Sequence, residues 1–485
     1  MKLKRLHIPD YYILKDFEIN FQNKLSLIIG ENGSGKSSLI EVLAYIFGHL
    51  HKYFVLNDKT AVFIDGYEIE YEISYNNSVH SVFIKSKYVD QISNTFKPTI
   101  KIDGTSLSLS QIDKIYGGMK HLLPTKVILY YAGITTHLSE LNEHFRKKYR
   151  SRLIQKGNNY SLQPLVLPND NPFCYIQSEY LPLIVLSLLL DEEKSNILLS
   201  EKLGIDLDSI DVVITCKEPA WHRERKKDIE QEAEKHPWGI EGTVSKEIFD
   251  SLVQNCIAQD YNDEHAELKL EFLGSIMIND VFADFESTPE TAFSLLDVLL
   301  CSDLIKSIDI SWKKDGNTIF LDRLSEGQKQ LLMTWGASFI WNQDNLLFLF
   351  DEPDVSLHPK WQREIISDLD KSMVNSCAVI STHSPIMLSN ASNSDAYIID
   401  KGKLAKNTPK FFGKDNNTIL FEIMGVTKRI DSVSKRIDEL FSAIENDDIE
   451  LSESLYTELS DLLGSDDNDL VRARMEIDYL KDDSF

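Results

Sequence analysis

The amino-acid sequence predicts an α/β fold with a central parallel sheet, an antiparallel β subdomain, a mostly helical insertion lobe and a helical C-terminal tail. Three observations predict the parallel sheet. An apolar run, Leu25–Ile29, leads into a glycine-rich loop and then into a helical pattern of apolar residues. Two later apolar runs, at 346–350 and 378–380, each end in polar residues. Because parallel strands deliver their carboxyl ends to one edge of a sheet, these polar residues are expected to lie together.

The pattern of apolar and polar residues along the chain divides the 485 residues into four segments. In the first, short strands are expected at 2–8, 15–21, 25–29 and 127–131, with an antiparallel sheet within 53–106. The second contains no sustained heptads, so we expect a compact lobe there and not a coiled-coil arm. After it, 308–312 and 317–321 read as a hairpin. The segments are 1–134 and 306–427 for the two parts of the sheet domain, 135–305 for the insertion and 428–485 for the acidic tail.

Composition limits the environment of the chain. Five scattered cysteines without a C-x-x-C pair argue against a thiolate zinc site or a disulfide framework, and favour the reducing cytoplasm. The most apolar run, Leu181–Leu190, is about half of a membrane span, so we expect a soluble cytoplasmic protein with no membrane partner. The net charge of −25 disfavours nucleic-acid binding over the whole surface.

The glycine-rich loop, Gly30–Ser37, has the complete phosphate-loop pattern G-x-x-x-x-G-K-S. Glycines at these positions let backbone N–H groups surround a phosphate at a helix N-terminus. Lys36 is expected to reach the β- and γ-phosphates of ATP, and the Ser37 hydroxyl to hold Mg²⁺. A glycine-rich turn that binds nothing is disfavoured by the flanking strand and helix. The expected nucleotide-binding residues here are Gly30, Asn32, Gly33, Ser34, Gly35, Lys36, Ser37 and Ser38.

Two further strands end in groups suited to the same chemistry. The run at 346–350 ends in Asp351 and Glu352, which we expect to act on Mg²⁺ and on the attacking water respectively. The run at 378–380 is followed by Ser381, Thr382 and His383. Either of these two strand ends, found alone, would more often have a structural role. Because both occur together with the phosphate loop, we expect Glu352, His383 and Lys36 to be the catalytic residues.

The segment Leu324–Gln328 precedes a helical pattern. A serine at a helix N-cap followed by glycine offers a hydroxyl and free N–H groups, which is an anion site. The alternative is an ordinary capped helix. The segment lies shortly before the strand that ends in Asp351, which favours the anion site, with Ser325, Gly327 and Gln328 as its residues.

Together these motifs resemble the ABC-type ATPases. The resemblance assigns Walker A to 30–37, the signature motif to 324–328, Walker B to 347–352 and the switch histidine to His383. It implies a head-to-tail dimer or a higher homo-oligomer, in which Ser325 and Gly327 of one subunit meet ATP bound to the other. The sequence departs from the family pattern at Glu326, where a glycine is usual, and shows no clear Q-loop glutamine after 127–131.

The stretch Asp351–Pro359 resembles the RecF and OLD branch of these ATPases. Parts of the tail around Arg429 and 462–473 resemble the PtuA family, the ATPase subunits of Septu and some retron antiphage systems. This resemblance implies an HNH nuclease of the PtuB type as a partner. Two alternatives remain open: a RecF-type DNA-repair ATPase that binds DNA without a nuclease, and a PARIS-like sensor ATPase that holds a toxin subunit.

The tail and two basic runs are candidate interaction surfaces. The tail has three apolar stripes at helical spacing, which we expect to bury against the ATPase core, a second copy or a partner. The basic runs, 146–152 and 222–227, are candidate DNA contacts, although such runs are more often solvated helix faces. The stripes are Ile430, Val433, Ile437, Leu440, Phe441 and Ile444, then Leu451, Leu455, Leu459 and Leu462, then Leu470, Ala473, Ile477 and Leu480.

Overall fold

The chain divides into two compact units, Met1–Phe412 and Gly413–Phe485. The boundaries expected at 134/135 and 305/306 fall inside the first unit, and the boundary expected before 428 falls inside the second. Within the antiparallel sheet expected at 53–106, residues 59–65 and 87–97 lie outside the described residues. The computed structural model describes residues 1–58, 66–86, 98–133, 136–154, 171–225, 245–285, 288–341, 343–373, 375–389, 395–405 and 429–482, with a few isolated positions between them.

Strands and helices of the first unit follow in chain order. The strands are β1 (Lys2–Tyr11), β2 (Leu14–Asn20), β3 (Leu25–Ile29), β4 (Glu68–Tyr75), β5 (Ser78–Lys85), β6 (Thr99–Ile102), β7 (Thr105–Ser106), β8 (Lys126–Tyr131), β9 (Phe173–Ile176), β10 (Asp211–Lys217), β11 (Ala258–Asn262), β12 (Glu267–Leu273), β13 (Ile305–Lys314), β14 (Asn317–Phe320), β15 (Leu346–Asp351), β16 (Cys377–Ser381), β17 (Asp395–Asp400) and β18 (Lys403–Leu404). The helices are α1 (Lys36–Phe54), α2 (Leu109–Tyr116), α3 (Thr136–Leu153), α4 (Leu181–Leu188), α5 (Glu192–Ser195), α6 (Ala220–Arg225), α7 (Ser245–Asn255), α8 (Gly274–Val281), α9 (Pro289–Cys301), α10 (Glu326–Leu331), α11 (Ala337–Ile340), α12 (Pro359–Ser372) and α13 (Pro385–Ser389). Short 3₁₀ turns and two π-helical stretches complete them, one of which, Leu332–Gly336, joins α10 to α11.

The expected parallel sheet is confirmed. Its strand order is β18-β17-β3-β16-β15-β8-β9, and all neighbours are parallel except β17 and β18. Strands β3, β15 and β16 are buried along their whole lengths, as near-continuous apolar strands are when both sheet faces are covered. In the register, Asp351 lies between Ser381 on β16 and Tyr131 on β8. The carboxyl ends of these strands therefore form one edge, as expected.

The expected antiparallel subdomain is also confirmed. It is a six-stranded sheet with the order β2-β1-β4-β5-β6-β7. Its strands alternate buried and exposed positions, and the inner side chains share one core with α1, including Leu6, Tyr71 and Phe47. On the outside, Arg5 joins Glu18 and Glu68 at 2.8 Å each. The pattern is that of an antiparallel sheet with one buried face.

The insertion contains more strand than the sequence suggested. Helices α3 to α9 lie in it, but β9 extends the parallel sheet, and β10 to β12 join β13 and β14 in a five-stranded antiparallel sheet with the order β11-β12-β10-β13-β14. The hairpin expected near 308–321 is β13 and β14. Strand β12 had a readable period-two pattern, because its buried Leu268, Leu270 and Phe272 alternate with charged residues. Strand β11 is exposed throughout and gives no such signal.

Charges of the first basic run are largely compensated within the chain. Its residues lie on α3, where Arg146 pairs with Glu179 and packs against the Tyr180 ring. The other ion pairs are Lys147 with Glu143 at 3.7 Å, Lys148 with Asp58 at 3.3 Å and Arg150 with Asp303 at 3.8 Å. Such pairs reduce the attraction that the run can exert on phosphate. DNA contact by this run stays a prediction. In the second run, residues 226 and 227 lie outside the described residues.

The second unit has a core of its own. Its helices are α14 (Asp431–Glu445), α15 (Ile449–Leu463) and α16 (Asn468–Asp482). The three stripes mostly pack against one another, so the expectation that they need an outside surface is wrong for most of their residues. Arg429 holds the bundle together at one end through Asp467 and Asp469 at 2.7 Å. The buried residues are Val433, Ile437, Leu440, Ala443, Ile444, Leu455, Leu459, Leu470, Ala473 and Ile477. Across both units, no described helix is long and apolar enough to cross a membrane.

Candidate functional site

The glycine-rich loop connects the buried strand β3 to α1. Gly33 has a φ of 75° and Gly35 a φ of 114°, in the region that favours glycine. A Cβ on Gly35 would lie 3.0 Å from the side chains of Ile13 and Leu14, whereas one on Gly33 would meet nothing within 4 Å. The loop thus packs tightly on its inner side and is open at Gly33, the shape of a cradle for a phosphate group.

Two buried polar groups in the loop fit a phosphate ligand. The Lys36 ammonium donates to the carbonyls of Gly30 and Glu31, each at 3.1 Å. Burial lowers the pKa of Lys36, and the nearby carboxylates of Glu352 and Asp351 oppose that effect. The Ser34 hydroxyl is buried and has no hydrogen-bond partner among the described residues. A buried hydroxyl without a partner is costly unless a ligand or water satisfies it, so this atom favours a bound phosphate.

Ser37 and Asp351 come together as the sequence predicted. The Ser37 hydroxyl donates to Asp351 Oδ2 at 3.1 Å. The other oxygen, Oδ1, accepts from the Ser381 hydroxyl at 2.5 Å. Burial raises the pKa of Asp351, and the bonds from Ser381 and Ser37 oppose that rise. A hydroxyl and a carboxylate beside a phosphate loop are ligands that Mg²⁺ takes together with phosphate oxygens and water.

Glu352 and His383 also meet at this edge. Glu352 Oε1 lies 2.9 Å from His383 Nε2. Burial, with the Lys36 charge, lowers the pKa of His383, which favours the neutral imidazole at pH 7. Glu352 has a φ of 48°, a conformation that a non-glycine residue keeps only when its surroundings fix it. Its N–H donates to the carbonyl and the hydroxyl of Ser381, both at 3.1 Å.

The loop after Glu352, residues 353–358, buries one more carboxyl group. Asp354 is buried, and its Oδ1 has no hydrogen-bond partner among the described residues. Burial raises the pKa of Asp354 to about 6, although a bond from Thr382 opposes the rise. Gln362 of α12 donates to the backbone carbonyls of Asp354 and Leu357 at 3.0 Å each. Helix α12 therefore fixes the backbone of this loop through Gln362.

The raised pKa of Asp354 predicts a pH-dependent stability. The ordinary pKa of an aspartic acid is 3.8, so the folded chain binds this proton more tightly than the unfolded chain. The stabilisation is complete below about pH 4 and is lost as the pH rises through about 6. A shift of about two units corresponds to about 3 kcal/mol. Asp354→Asn, which cannot ionise, is expected to raise Tm relative to wild type by more at pH 8 than at pH 4.5, in thermal unfolding without nucleotide or Mg²⁺.

The exposed Asp322→Asn is the control for that measurement and should change Tm equally at both pH values. An Asp354→Asn effect that is the same at pH 4.5 and pH 8 would contradict the buried, protonated carboxyl.

Three tyrosines beside Asp351 were not predicted from the sequence. Tyr130 and Tyr131 end β8, and Tyr175 lies near the end of β9. Burial, with the Asp351 charge adding, raises the pKa of Tyr131 to about 12, so its hydroxyl is a proton donor at neutral pH. No glutamine occurs between 132 and 154. Gln177, which directly follows β9, is the first described glutamine after β8.

The segment 324–328 begins a helix, and Ser325 and Gln328 of this segment form hydrogen bonds with each other. Ser325 is the N-cap of α10: its hydroxyl accepts from the Gln328 N–H at 3.3 Å, and Gln328 Oε1 accepts from the Ser325 N–H at 2.9 Å. Gln328 thus completes a capping box. Within the described part of the chain, no hydrogen bond joins Ser325, Gly327 or Gln328 to the phosphate loop. The fold brings together Lys36, Ser37, Asp351, Glu352 and His383, and no hydrogen bond among the described residues joins the 324–328 segment to them.

Comparison with known proteins identifies a family and two relatives that each match part of the chain. A family described as the AAA ATPase domain matches residues 1–388. The chain is similar to the Retron Vc95 probable ATPase of Vibrio cholerae serotype O1 biovar El Tor, at 30% identity over 160 residues, and to the Retron Ec83 probable ATPase of Escherichia coli, at 28% over 136 residues. Each match covers 27% of this chain, and they span only 31% and 25% of those relatives.

Likeness to solved structures is more distant. The recombination mediator protein RecF of the RecFOR pathway aligns with a TM-score of 0.34 and 14% identity, over 84% of this chain and 98% of that chain. The SMC head domain from Thermotoga maritima aligns with a TM-score of 0.32 and 14% identity, over 84% and 98%. Likeness at this level supports no conclusion about function.

Proposed function

The chain belongs to the AAA ATPase domain family and is an ATPase, and from this premise we propose that it is the ATP-hydrolysing regulatory subunit of a bacterial antiphage complex that binds and gates an HNH nuclease. The observation that carries the proposal is its similarity to two retron ATPases, the group that the tail sequence also resembles. The alternatives of a RecF-type repair ATPase and of a PARIS-like sensor predict no HNH partner.

We assign the chemistry to the residues at the carboxyl edge of the parallel sheet. Bound ATP would supply the phosphoanhydride bond that is cleaved, and Mg²⁺ would neutralise negative charge on the phosphates. Ser37 and Asp351 would hold the metal, and Lys36, which bonds the carbonyls of Gly30 and Glu31, would bind the phosphates. Glu352 orients the attacking water and accepts its proton. His383 lies beside that carboxylate and, being neutral, donates or accepts a hydrogen bond without adding charge.

We further propose that two copies pair head to tail, so that Ser325 and Gly327 of one subunit complete the site of the other. Two features support this arrangement. Ser325 is not joined to the phosphate loop of its own subunit, and Val355, in the loop after Glu352, is an apolar side chain that is 64% exposed. A second copy would cover it. Glu326, where the family usually has glycine, is exposed and reaches Lys329 at 3.2 Å, so its carboxylate leaves the N-cap free.

For the nuclease we propose docking on the tail unit. Its helix α16 has an apolar stripe, Val471, Met475 and Tyr479, of which the last two are 68% and 66% exposed. Acidic residues outnumber basic ones in the tail as a whole. A nuclease needs a basic surface for DNA, and an acidic bundle with a central apolar stripe is complementary to such a surface.

Removing the tail tests the proposal. A chain that ends at Ile430 is expected to fold and to bind ATP, because the second unit has a separate core. It is expected to lose co-purification with an HNH protein encoded beside it, and with that to lose phage protection. The measurements are ATP binding, size by light scattering, nuclease capture and plaque counts. Capture by the truncated chain would contradict the role of the tail, and aggregation would indicate that the tail closes the ATPase core.

Point variants sharpen the same test. Met475→Arg places a charge in the middle of the exposed stripe and should abolish capture without unfolding the bundle. Leu462→Arg is the matched control, since Leu462 is equally exposed at 66% but lies on α15. Equal loss of capture in both variants would argue against a specific surface.

A further inference from the structure

We propose that Gln330 is a positioning residue that ties the signature helix α10 to the backbone of Glu352, and that it thereby links the two ATP sites of a dimer. The inference rests on the proposed roles of Glu352 and Ser325. It concerns a side chain that does not face the nucleotide and to which neither the motifs nor the comparisons give a role.

Gln330 bridges two backbone groups of the loop after β15. It lies on α10, five residues after Ser325, and is only 4% exposed. Its Nε2 donates to the Glu352 carbonyl at 2.9 Å, and its Oε1 accepts from the Ser356 N–H at 3.0 Å. Both polar atoms of the amide thus form hydrogen bonds. Replacing the amide would leave the partly buried Glu352 carbonyl and Ser356 N–H without these partners.

The bridge matters because of the conformation of Glu352. With a φ of 48°, this residue sits in a region that non-glycine residues occupy at a cost, and it stays there only if neighbours hold it on both sides. Ser381 holds its N–H. Gln330 holds its carbonyl. Removing the Gln330 amide would free one side of the residue and let the carboxylate move away from the position that a water would take.

The signature helix is fixed to the same loop a second time. A Cβ placed on Gly327 would lie 2.2 Å from the Ser356 carbonyl oxygen, so backbone packs directly on backbone there. Together with the Gln330 bonds, this contact makes α10 and the loop at 352–356 move as one piece. Ser325, at the start of α10, then cannot shift towards a ligand without moving Glu352.

In a head-to-tail pair, Ser325 contacts the nucleotide of the partner while Glu352 acts on the nucleotide of its own subunit. The Gln330 bridge therefore makes the position of the base in one site depend on whether nucleotide is bound at the other site. This mechanism would make hydrolysis at the two sites interdependent, through a linkage inside each subunit.

Gln330→Leu tests the inference, since leucine is similar in size but makes neither bond. We expect kcat to fall by about 10²-fold, the scale of a misplaced catalytic group, with an unchanged Kd for ATP. The matched control is Gln362→Leu, which also removes an amide that bridges this loop but does not touch Glu352 or α10. It should lower Tm by a similar amount and keep kcat. Equal kcat in the two variants would overturn the inference.

Mixtures test the link between sites. Gln330→Leu mixed with Lys36→Ala has one composite site that combines the variant's Glu352 with an unaltered signature. Gln330→Leu mixed with Ser325→Arg has the reverse combination. If Gln330 acts on both elements, neither mixture recovers hydrolysis, and full recovery in either one overturns the link.

The mixture of Ser325→Arg with Lys36→Ala separates this result from the proposed pairing. If that mixture fails to recover while Gln330→Leu still loses kcat, the head-to-tail pairing and the link between sites are both overturned. The positioning of Glu352 by Gln330 would in that case be supported alone.

Discussion

Glu352→Gln is expected to bind ATP normally and to hydrolyse it at least about 10²-fold more slowly than wild type, the usual scale for loss of a general base. The amide has the same shape and can still contact His383, but it cannot take a proton from water. The variant is therefore expected to accumulate with ATP bound, in the paired state. Phosphate release and nucleotide retention after gel filtration measure both effects.

Glu264→Gln, which removes an exposed carboxylate on the loop between β11 and β12, is the control for that variant and should keep full turnover. Near-wild-type turnover in Glu352→Gln would assign the base to another group. Asp354, which is buried in the loop that follows Glu352, would then be the candidate to test with Asp354→Asn.

Ser325→Arg is expected to abolish hydrolysis while leaving ATP binding by the single subunit intact. In the proposed head-to-tail pair, the arginine side chain would project from the N-cap of α10 into the space assigned to the partner's nucleotide. The phosphate loop of the same subunit has no hydrogen bond to Ser325 among the described residues, so its affinity should not change. Equilibrium ATP binding and steady-state phosphate release distinguish the two effects.

Loss of ATP binding in Ser325→Arg would place the serine in the site of its own subunit. Glu326→Arg is a suitable control, because it puts the same charge one residue further on, at a side chain that is already exposed. It should reduce hydrolysis less than Ser325→Arg does.

The sheet that positions the site could be predicted because its strands are unusual. Strands β3, β15 and β16 are near-continuous apolar runs that end at Ile29, Asp351 and Ser381, a composition typical of strands buried on both faces. In the five-stranded antiparallel sheet, the hairpin of β13 and β14 was predicted, whereas β11 and β12 were missed. Strand β12 alternates charged and apolar residues, which is the readable pattern of a half-buried strand. Strand β11 is wholly exposed and gives no such signal.

The proximity of the site residues could be predicted where a short motif places each of them at the same edge of the sheet. Lys36, Ser37 and Asp351 are of this kind, since a phosphate loop and an acidic strand end define them. Ser381, Gln330 and Tyr131 were not, because their roles depend on which residues face one another across the sheet and on how α10 packs. Sequence spacing does not contain that register.

The tail shows where periodicity is informative and where it is not. The three stripes correctly indicated three amphipathic helices, but they could not tell which surface each stripe would cover. The stripes cover one another, and the exposed row at Val471, Met475 and Tyr479 lies outside them. Arg429, part of the motif that resembles the PtuA family, is a structural clamp on Asp467 and Asp469.

The most direct test of the composite ATP site is hydrolysis by an equimolar mixture of Ser325→Arg and Lys36→Ala proteins. Each variant alone should be inactive. In mixed pairs, one site combines the intact phosphate loop of the first variant with the intact signature of the second, so the mixture is expected to recover hydrolysis, below the wild-type rate. A mixture that stays as inactive as its components, although light scattering shows that mixed pairs form, would contradict completion of the site by a second subunit.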